Sequence, residues 1–373
     1  MKFQIICTLC GMLIALVSGC GDEPEVVVIA EQPDEMIELS IHFSIGVEMG
    51  DSTEVFGSIT DVCHDTAGQI LVLDQTLCGV KVFSDDGEYI CQIGRNGSGP
   101  GEMLMPLYVA GLNDGRILVH DPMNNAFISY DSTFSYLENI SLWSNGPPLE
   151  TCAVAGSSYA GVVLEFDMET DQPMIIRTLA TYSVNREPDV LYYEDEVPFD
   201  FADFTSVLSS MMFSFSLTGD NQGRFFYSPT SSETYEVFAF NADGSDLFHI
   251  TRDIPRVEKT AQEMEDEIMY VESWANRIGM QGVVIEWEPN PYRTFIKALG
   301  VDGSGHLWVA RGTELKPVFD VYDISGAHLF TARLPVESGS WKFHIDSYGI
   351  IGWEEDPPDG FQKLYIIDFP VNS

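Results

Sequence analysis

A glycine-led strand segment that recurs six times, four short strands to each recurrence, and Asp/Gly turns between them predict an all-β fold. The architecture they specify is a six-bladed β-propeller of four-stranded antiparallel blades, closed by an N-terminal strand and carrying one helical insertion. The recurrence is clearest where Gly68-Gln-Ile-Leu-Val-Leu-Asp74 returns as Gly115-Arg-Ile-Leu-Val-His-Asp121. Weaker copies begin at Gly161, Gly223, Gly305 and Gly349, giving intervals of 47, 46, 62, 82 and 44 residues. Three intervals are about one blade long; the two long ones contain insertions. In the first copy an apolar segment at 59–63 precedes the turn Asp65-Thr-Ala-Gly68. Val80-Lys-Val-Phe83, the turn Asp85-Asp86-Gly87 and a segment at 89–93 complete the unit. Asp and Gly supply the side-chain caps and positive φ that tight hairpins need.

The sixth unit runs out one strand early, after the segment at 362–369. Residues 37–45 alternate like residues 89–93, and pairing them with the C-terminal strand closes the ring and removes free sheet edges. The propeller is therefore expected over 37–373, with its helical insertion at about 259–281. Thr260-x-x-Glu263 is a capping box, and Met264, Ile268, Val271, Ala275 and Ile278 fall on one helical face. That stripe either packs onto the propeller or receives a partner. A second insertion, at 186–204, mixes Glu194, Asp195, Glu196, Asp200 and Asp203 with aromatic residues.

The first 19 residues read as an export signal. Met1-Lys2 is followed by an uncharged run that is short for a membrane span and ends at Leu16-Val17-Ser18-Gly19-Cys20. Those five residues resemble a bacterial lipobox, which implies cleavage before Cys20 and lipidation of its thiol; the alternative is an ordinary cleaved signal peptide. Residues 20–36 then read as an acidic tether. Gly21, rather than Asp, after the lipidated Cys resembles proteins sent on to the outer membrane. The expected address is the bacterial cell envelope, with the membrane engaged through an N-terminal lipid. Cys63, Cys78, Cys91 and Cys152 remain in the mature chain, as buried thiols or with a single bridge.

The chain has 373 residues, 18 basic and 58 acidic, for a formal net charge of −40, which excludes nucleic acid as a partner. A hydrophobic share of 45% sets it apart from disordered acidic tails. Such acidity also suits a high-salt habitat, in which case the protein would be a salt-adapted scaffold.

Val80-Lys-Val-Phe83, Asp85-Asp86-Gly87 and Ile93-Gly94-Arg-Asn-Gly97-Ser-Gly99-Pro100-Gly101-Glu102 with Pro106 resemble the strand, turn and inter-blade loop of NHL-type six-bladed propellers of bacteria. The resemblance is strong over 57–122 and patchy elsewhere. It implies the fold and leaves activity open, because that family spans binding modules, scaffolds and lyases.

No Gly-x-Ser-x-Gly, His-Glu-x-x-His or P-loop occurs, and the Gly97–Glu102 run lacks the helix that a nucleotide loop requires. No catalytic residue and no metal ligand set is assigned. Asp65, Asp220, Asp302 and Asp346 recur at the end of the first strand in four blades, with Asn113 in that place in another, as turn caps would. Ligand-binding candidates are instead the polar inner-strand residues that do not recur: Asp61, Arg293, Lys297, Lys342 and His344, with His64 nearby. In so acidic a chain the three cations could make a positive mouth at the axial channel, for an anionic small molecule, a peptide or a protein. The bland counterpart is a structural Asp61–Lys342 salt bridge. The leading reading is a lipid-anchored, cofactor-free binding module. Its rival is a channel-centred, metal-dependent lyase or lactonase-type enzyme holding Ca or Zn.

Overall fold

The computed structural model describes residues 26–28, 36–141, 143, 146–168, 172–183, 187–198, 205, 214–277, 285–337, 340–355, 357 and 360–370. Six antiparallel sheets follow one another around an axis. Their innermost strands are Ile59–His64, Tyr108–Gly111, Leu149–Ala153, Phe215–Gly219, Ile296–Val301 and Trp341–Ile345. Second and third strands such as Ile70–Asp74, Gly79–Phe83, Ile117–Asp121 and Ala126–Tyr130 are buried at every residue because each blade is sandwiched between two others. That accounts for their unbroken apolar runs. Outer strands such as Tyr136–Ile140 are mostly exposed.

The core is six inter-blade seams. Cys63, Leu71, Val82, Val109, Ile117 and Ile128 fill the one between the first two blades. Inner strands approach closely: a Cβ on Gly111 would lie 2.4 Å from the carbonyl of His64, and one on Gly219 would lie 2.5 Å from that of Ala153. Neighbouring first strands therefore run parallel along the axis, and all begin at the same end of the channel.

The ring closes as the strand arithmetic requires. Ile41–Ile45 pairs antiparallel with Leu364–Ile367, and Ile45, Leu364, Ile351 and Trp353 pack against Phe56, Ile59 and Phe83 of the first blade. The expected closing segment is nonetheless divided. Met36–Glu38 lies parallel to the outer edge of the fifth blade, on His328–Arg333, and Leu39 is buried at the crossing to the sixth. Val26–Val28, within the stretch read as tether, lies parallel to Asp246–Arg252 of the fourth blade. Both short strands cover edges that would otherwise be open.

The helix spans Ala261–Arg277. Thr260 and Glu263 exchange backbone and side-chain hydrogen bonds of 2.8 and 3.2 Å, closing the capping box. Val271 and Ala275 are fully buried, so the stripe is covered at these positions; Ile278 lies outside the described residues. Of the second expected insertion, Glu194–Glu196 belong to a nine-residue outer strand, Val190–Pro198, where Asp195 pairs with Arg177. Strands of nine residues absorb part of the long spacing in this blade, because each extends past the usual five. Cys63, Cys78, Cys91 and Cys152 are free thiols. Glu102 accepts the Gly99 N–H at 2.9 Å, as a loop between blades would use it. Among the described residues no helix is long and apolar enough to cross a membrane.

Candidate functional site in the axial channel

The turn-capping role of the recurrent Asp residues is visible in each copy. Asp65 accepts N–H bonds from Ala67 and Gln69, Asp220 from Gln222 and Arg224, and Asp302 from Ser304 and His306, all at 2.8–2.9 Å. These groups surround the trailing end of the channel, where the first strands finish.

The leading end holds the non-recurring residues. The channel encloses a cavity of about 830 Å³ whose wall includes Asp61, Tyr108, Glu150, Lys297, Lys342 and His344. In the first, third and fifth blades the inner strand slips by one residue against its neighbour, between Ile59 and Asp61, Leu149 and Cys152, and Ile296 and Ala298. Such bulges re-aim side chains. Asp61, Glu150 and Lys297 sit at these three bulges, one charged residue to every second blade. Glu150 adopts a φ of 52°, a backbone conformation that L residues rarely take.

The two carboxylates are anchored alike. Asp61 accepts the N–H of Val62 at 2.9 Å and of Val109, on the next blade, at 2.8 Å. Glu150 accepts the N–H of Phe215, likewise on the next blade, at 2.8 Å. Both line the cavity, and burial dominates their ionisation. Burial pushes Glu150 up to about 8 and Asp61 up to about 6, against the opposing pull of these hydrogen bonds. Burial, reinforced by the charges of Lys342 and Arg293, brings Lys297 down to about 8. Near neutral pH the wall thus presents a mostly protonated Glu150, a mostly ionised Asp61 and a mostly protonated Lys297.

Asp61, Lys297, Lys342 and His344 stand where the sequence reading put them, on the channel wall. Arg293 does not. Its guanidinium grips Glu263 of the helix through bonds of 2.8 and 2.9 Å and donates to the Thr313 carbonyl at 2.9 Å, so it fastens the insertion to the fifth blade. The Asp61–Lys342 bridge does not form either: Lys342 lies 3.6 Å from Glu355 in a half-exposed pair, and Asp61 is taken by backbone amides. The helix enters between the fourth and fifth blades and so lies at the leading end. Glu150 and Tyr108 escape the sequence reading. The third blade has Val154, not Asp, at its turn, and its bulge shifts any count along the strand.

At the trailing end Asp346 does more than cap. Its carboxylate lies 2.9 Å from Nδ1 of His64 and 3.0 Å from Nε2 of His344, and the three residues offer ligand atoms within 4.8 Å of one another. They are the one grouping of three potential metal ligands among the described residues.

Residues 23–272 match the sequence profile of a family described as a 6-bladed beta-propeller, DUF5128. The chain belongs to this family. No curated protein matches the sequence. Among solved structures, the DUF5128 chain is similar to a protein of Bacteroides fragilis named as exported. The two share 10% identity over 92% of this chain and 100% of that one, with a TM-score of 0.51. A DUF4221 member from Bacteroides vulgatus (10%, 88% and 97%, TM-score 0.47) and virginiamycin B lyase from Staphylococcus aureus (8%, 88% and 99%, TM-score 0.47) are also similar. At such identities the likeness is one of fold.

Proposed function

We propose that this DUF5128 propeller is a lipid-anchored binding module of the bacterial envelope, NHL-like in its blades, that takes a small anionic, hydroxyl-bearing molecule at the leading end of its channel. The observation that carries the reading is where the cations go. In a chain with 18 basic residues against 58 acidic, two of the few cations, Lys297 and Lys342, line the channel, Lys342 with Glu355 3.6 Å away. Low-dielectric walls focus their field on the lumen. A protonated Glu150 can donate a hydrogen bond there, Asp61 can accept one, and the cavity suits a sugar acid in size.

The expected result is that D-glucuronate binds the purified protein more tightly than D-glucose does. The Lys297→Met/Lys342→Met variant should lose at least about tenfold in affinity, some 1.4 kcal/mol, while keeping its fold. Equal affinity for the two sugars, or equal glucuronate binding by the variant, would refute the reading. A catalytic reading, the lyase or lactonase kind, draws on Glu150 and Asp61. One carboxyl at about 8 and another at about 6 in a single cavity are suited to acid and base roles. Turnover of a lactone that stops in Glu150→Gln would favour it.

Attachment rests on Leu16 to Cys20, outside the described residues. Mass spectrometry of membrane-extracted protein should find an N-terminal Cys20 bearing acyl chains, two or more being needed for stable anchoring. A mature terminus elsewhere removes the anchor from the proposal.

A further inference from the structure

We propose that His64, His344 and Asp346 form a divalent transition-metal site, of the zinc class, that clasps the seam between the first and sixth blades. It lies on the same cavity wall as the anion site, nearer the ends of the first strands, and does not depend on that reading. Asp346 departs from its three counterparts. Their turns close from the Asp N–H to a carbonyl four residues on, at Gln69, Arg224 and His306; that of Asp346 closes to Gly349, one residue sooner. Oδ1 of Asp346 accepts the Tyr348 N–H at 2.9 Å and also lies 3.0 Å from Nδ1 of His64, while Oδ2 faces both imidazoles. Of the four recurrent Asp residues, this one stands between two His side chains, and neither His recurs.

The donor chemistry selects the ion. Two imidazole nitrogens and one carboxylate are a zinc-type set, whereas Ca²⁺ and Mg²⁺ prefer all-oxygen cages. Tetrahedral bonds of about 2.0–2.1 Å put neighbouring ligand atoms about 3.3 Å apart. The His–Asp separations are 2.9 and 3.0 Å, so an ion would spread the ligands by a few tenths of an ångström. The surroundings hold the ligands for it. The His64 side chain is 6% exposed and its ring packs on Tyr348 at 5.3 Å. The Tyr348 hydroxyl in turn donates to the Thr66 carbonyl at 2.8 Å, across the same seam. All three ligands line the axial cavity, so the fourth coordination position would face the lumen.

Because His64 belongs to the first blade and His344 and Asp346 to the sixth, an ion here joins the first and last elements of the ring. Metal binding then adds to folding stability, since a preformed site is absent from the unfolded chain. The test uses the full-length protein, stripped with EDTA and titrated with Zn²⁺ in parallel with Ca²⁺. One equivalent of zinc should bind and raise the melting temperature. His344→Gln and Asp346→Asn should each weaken binding by roughly a hundredfold or more and abolish that rise. The Asn variant retains the oxygen that caps Tyr348, so its fold should survive, which circular dichroism checks. Cobalt(II) should give the intense visible bands of a four-coordinate site in the parent and lose them in both variants. Binding by the parent no tighter than by the folded Asp346→Asn variant, a site preferring Ca²⁺, or a His42→Gln control that loses as much affinity would each overturn the proposal.

Discussion

Deleting residues 36–45 should make the protein aggregate or melt far below the parent. Ile41–Ile45 is the fourth strand of the sixth blade, and without it Leu364–Ile367 becomes a naked edge over an apolar seam. Phe56, Phe83 and Trp353 would lose the cover of Ile45, and burying one such aliphatic side chain is worth about 1.5–3 kcal/mol. The same deletion removes Leu39 from the seam between the fifth and sixth blades. The exposed edge matters as much as the lost burial, because it is a template for pairing with a second chain. Size-exclusion chromatography and thermal melting decide it. An unchanged melt with a monomeric profile would mean that the C-terminal strands close the ring unaided.

The second large effect is expected at Asp320, which has no exposed surface. Arg311 grips its carboxylate with two bonds, of 2.8 and 2.5 Å, and Arg252 of the fourth blade donates at 2.5 Å. The Tyr235 hydroxyl, also on the fourth blade, adds a bond of 2.9 Å. Burial alone would raise this carboxyl; the hydrogen bonds from His328 and Arg311 and the charges of Arg311 and Arg252 outweigh it and hold it well below the usual range. Asp320→Asn would remove the buried charge that Arg252 and Arg311 share, leaving Arg311 its 3.2 Å pair with Glu314, a loss of about 3–5 kcal/mol. The sign with pH follows from the depressed value. The native carboxylate stabilises the fold fully above the unfolded carboxyl range, about pH 4, and that stability is lost as pH falls toward the native value. Denaturant melts should therefore show the full gap between parent and variant at pH 7 and a narrowing gap below about pH 4. A variant as stable as the parent at pH 7 would remove this network from the account of how the fourth and fifth blades are joined.

How far the sequence could be read divides along the same physical line. Blade number, strand order and closure follow from residues whose job repeats, such as Asp65 and Asp302 at their turns or the apolar runs at Ile70–Asp74 and Ile117–Asp121. A repeated constraint leaves a repeated trace. The split of residues 36–45 between two blades left none, because Met36–Glu38 and Ile41–Ile45 share one alternating pattern and only the spatial course of Leu39 and Ser40 separates them. The channel divides likewise. Asp61, Lys297, Lys342 and His344 stand at countable positions on first strands, whereas Glu150 is aimed inward by a bulge and a positive φ that its neighbours do not announce. Arg293 looked like a channel cation because it precedes an inner strand; its partner, Glu263, lies 30 residues away on the helix. Asp346 was read correctly as a turn cap, and the regularity of that role concealed the two imidazoles that converge on it.

The claim at the centre of this account is that a strongly acidic propeller keeps an anion site in its channel. Crystals soaked in bromide test it most directly, because anomalous scattering locates the ion without any assumption about the natural ligand. The account predicts bromide within hydrogen-bonding reach of the Lys297 or Lys342 ammonium, inside the cavity wall that also carries Glu150 and Asp61, and its absence from crystals of Lys297→Met/Lys342→Met. Bromide confined to the outer surface of the disc, with none in the channel of the parent protein, would contradict it.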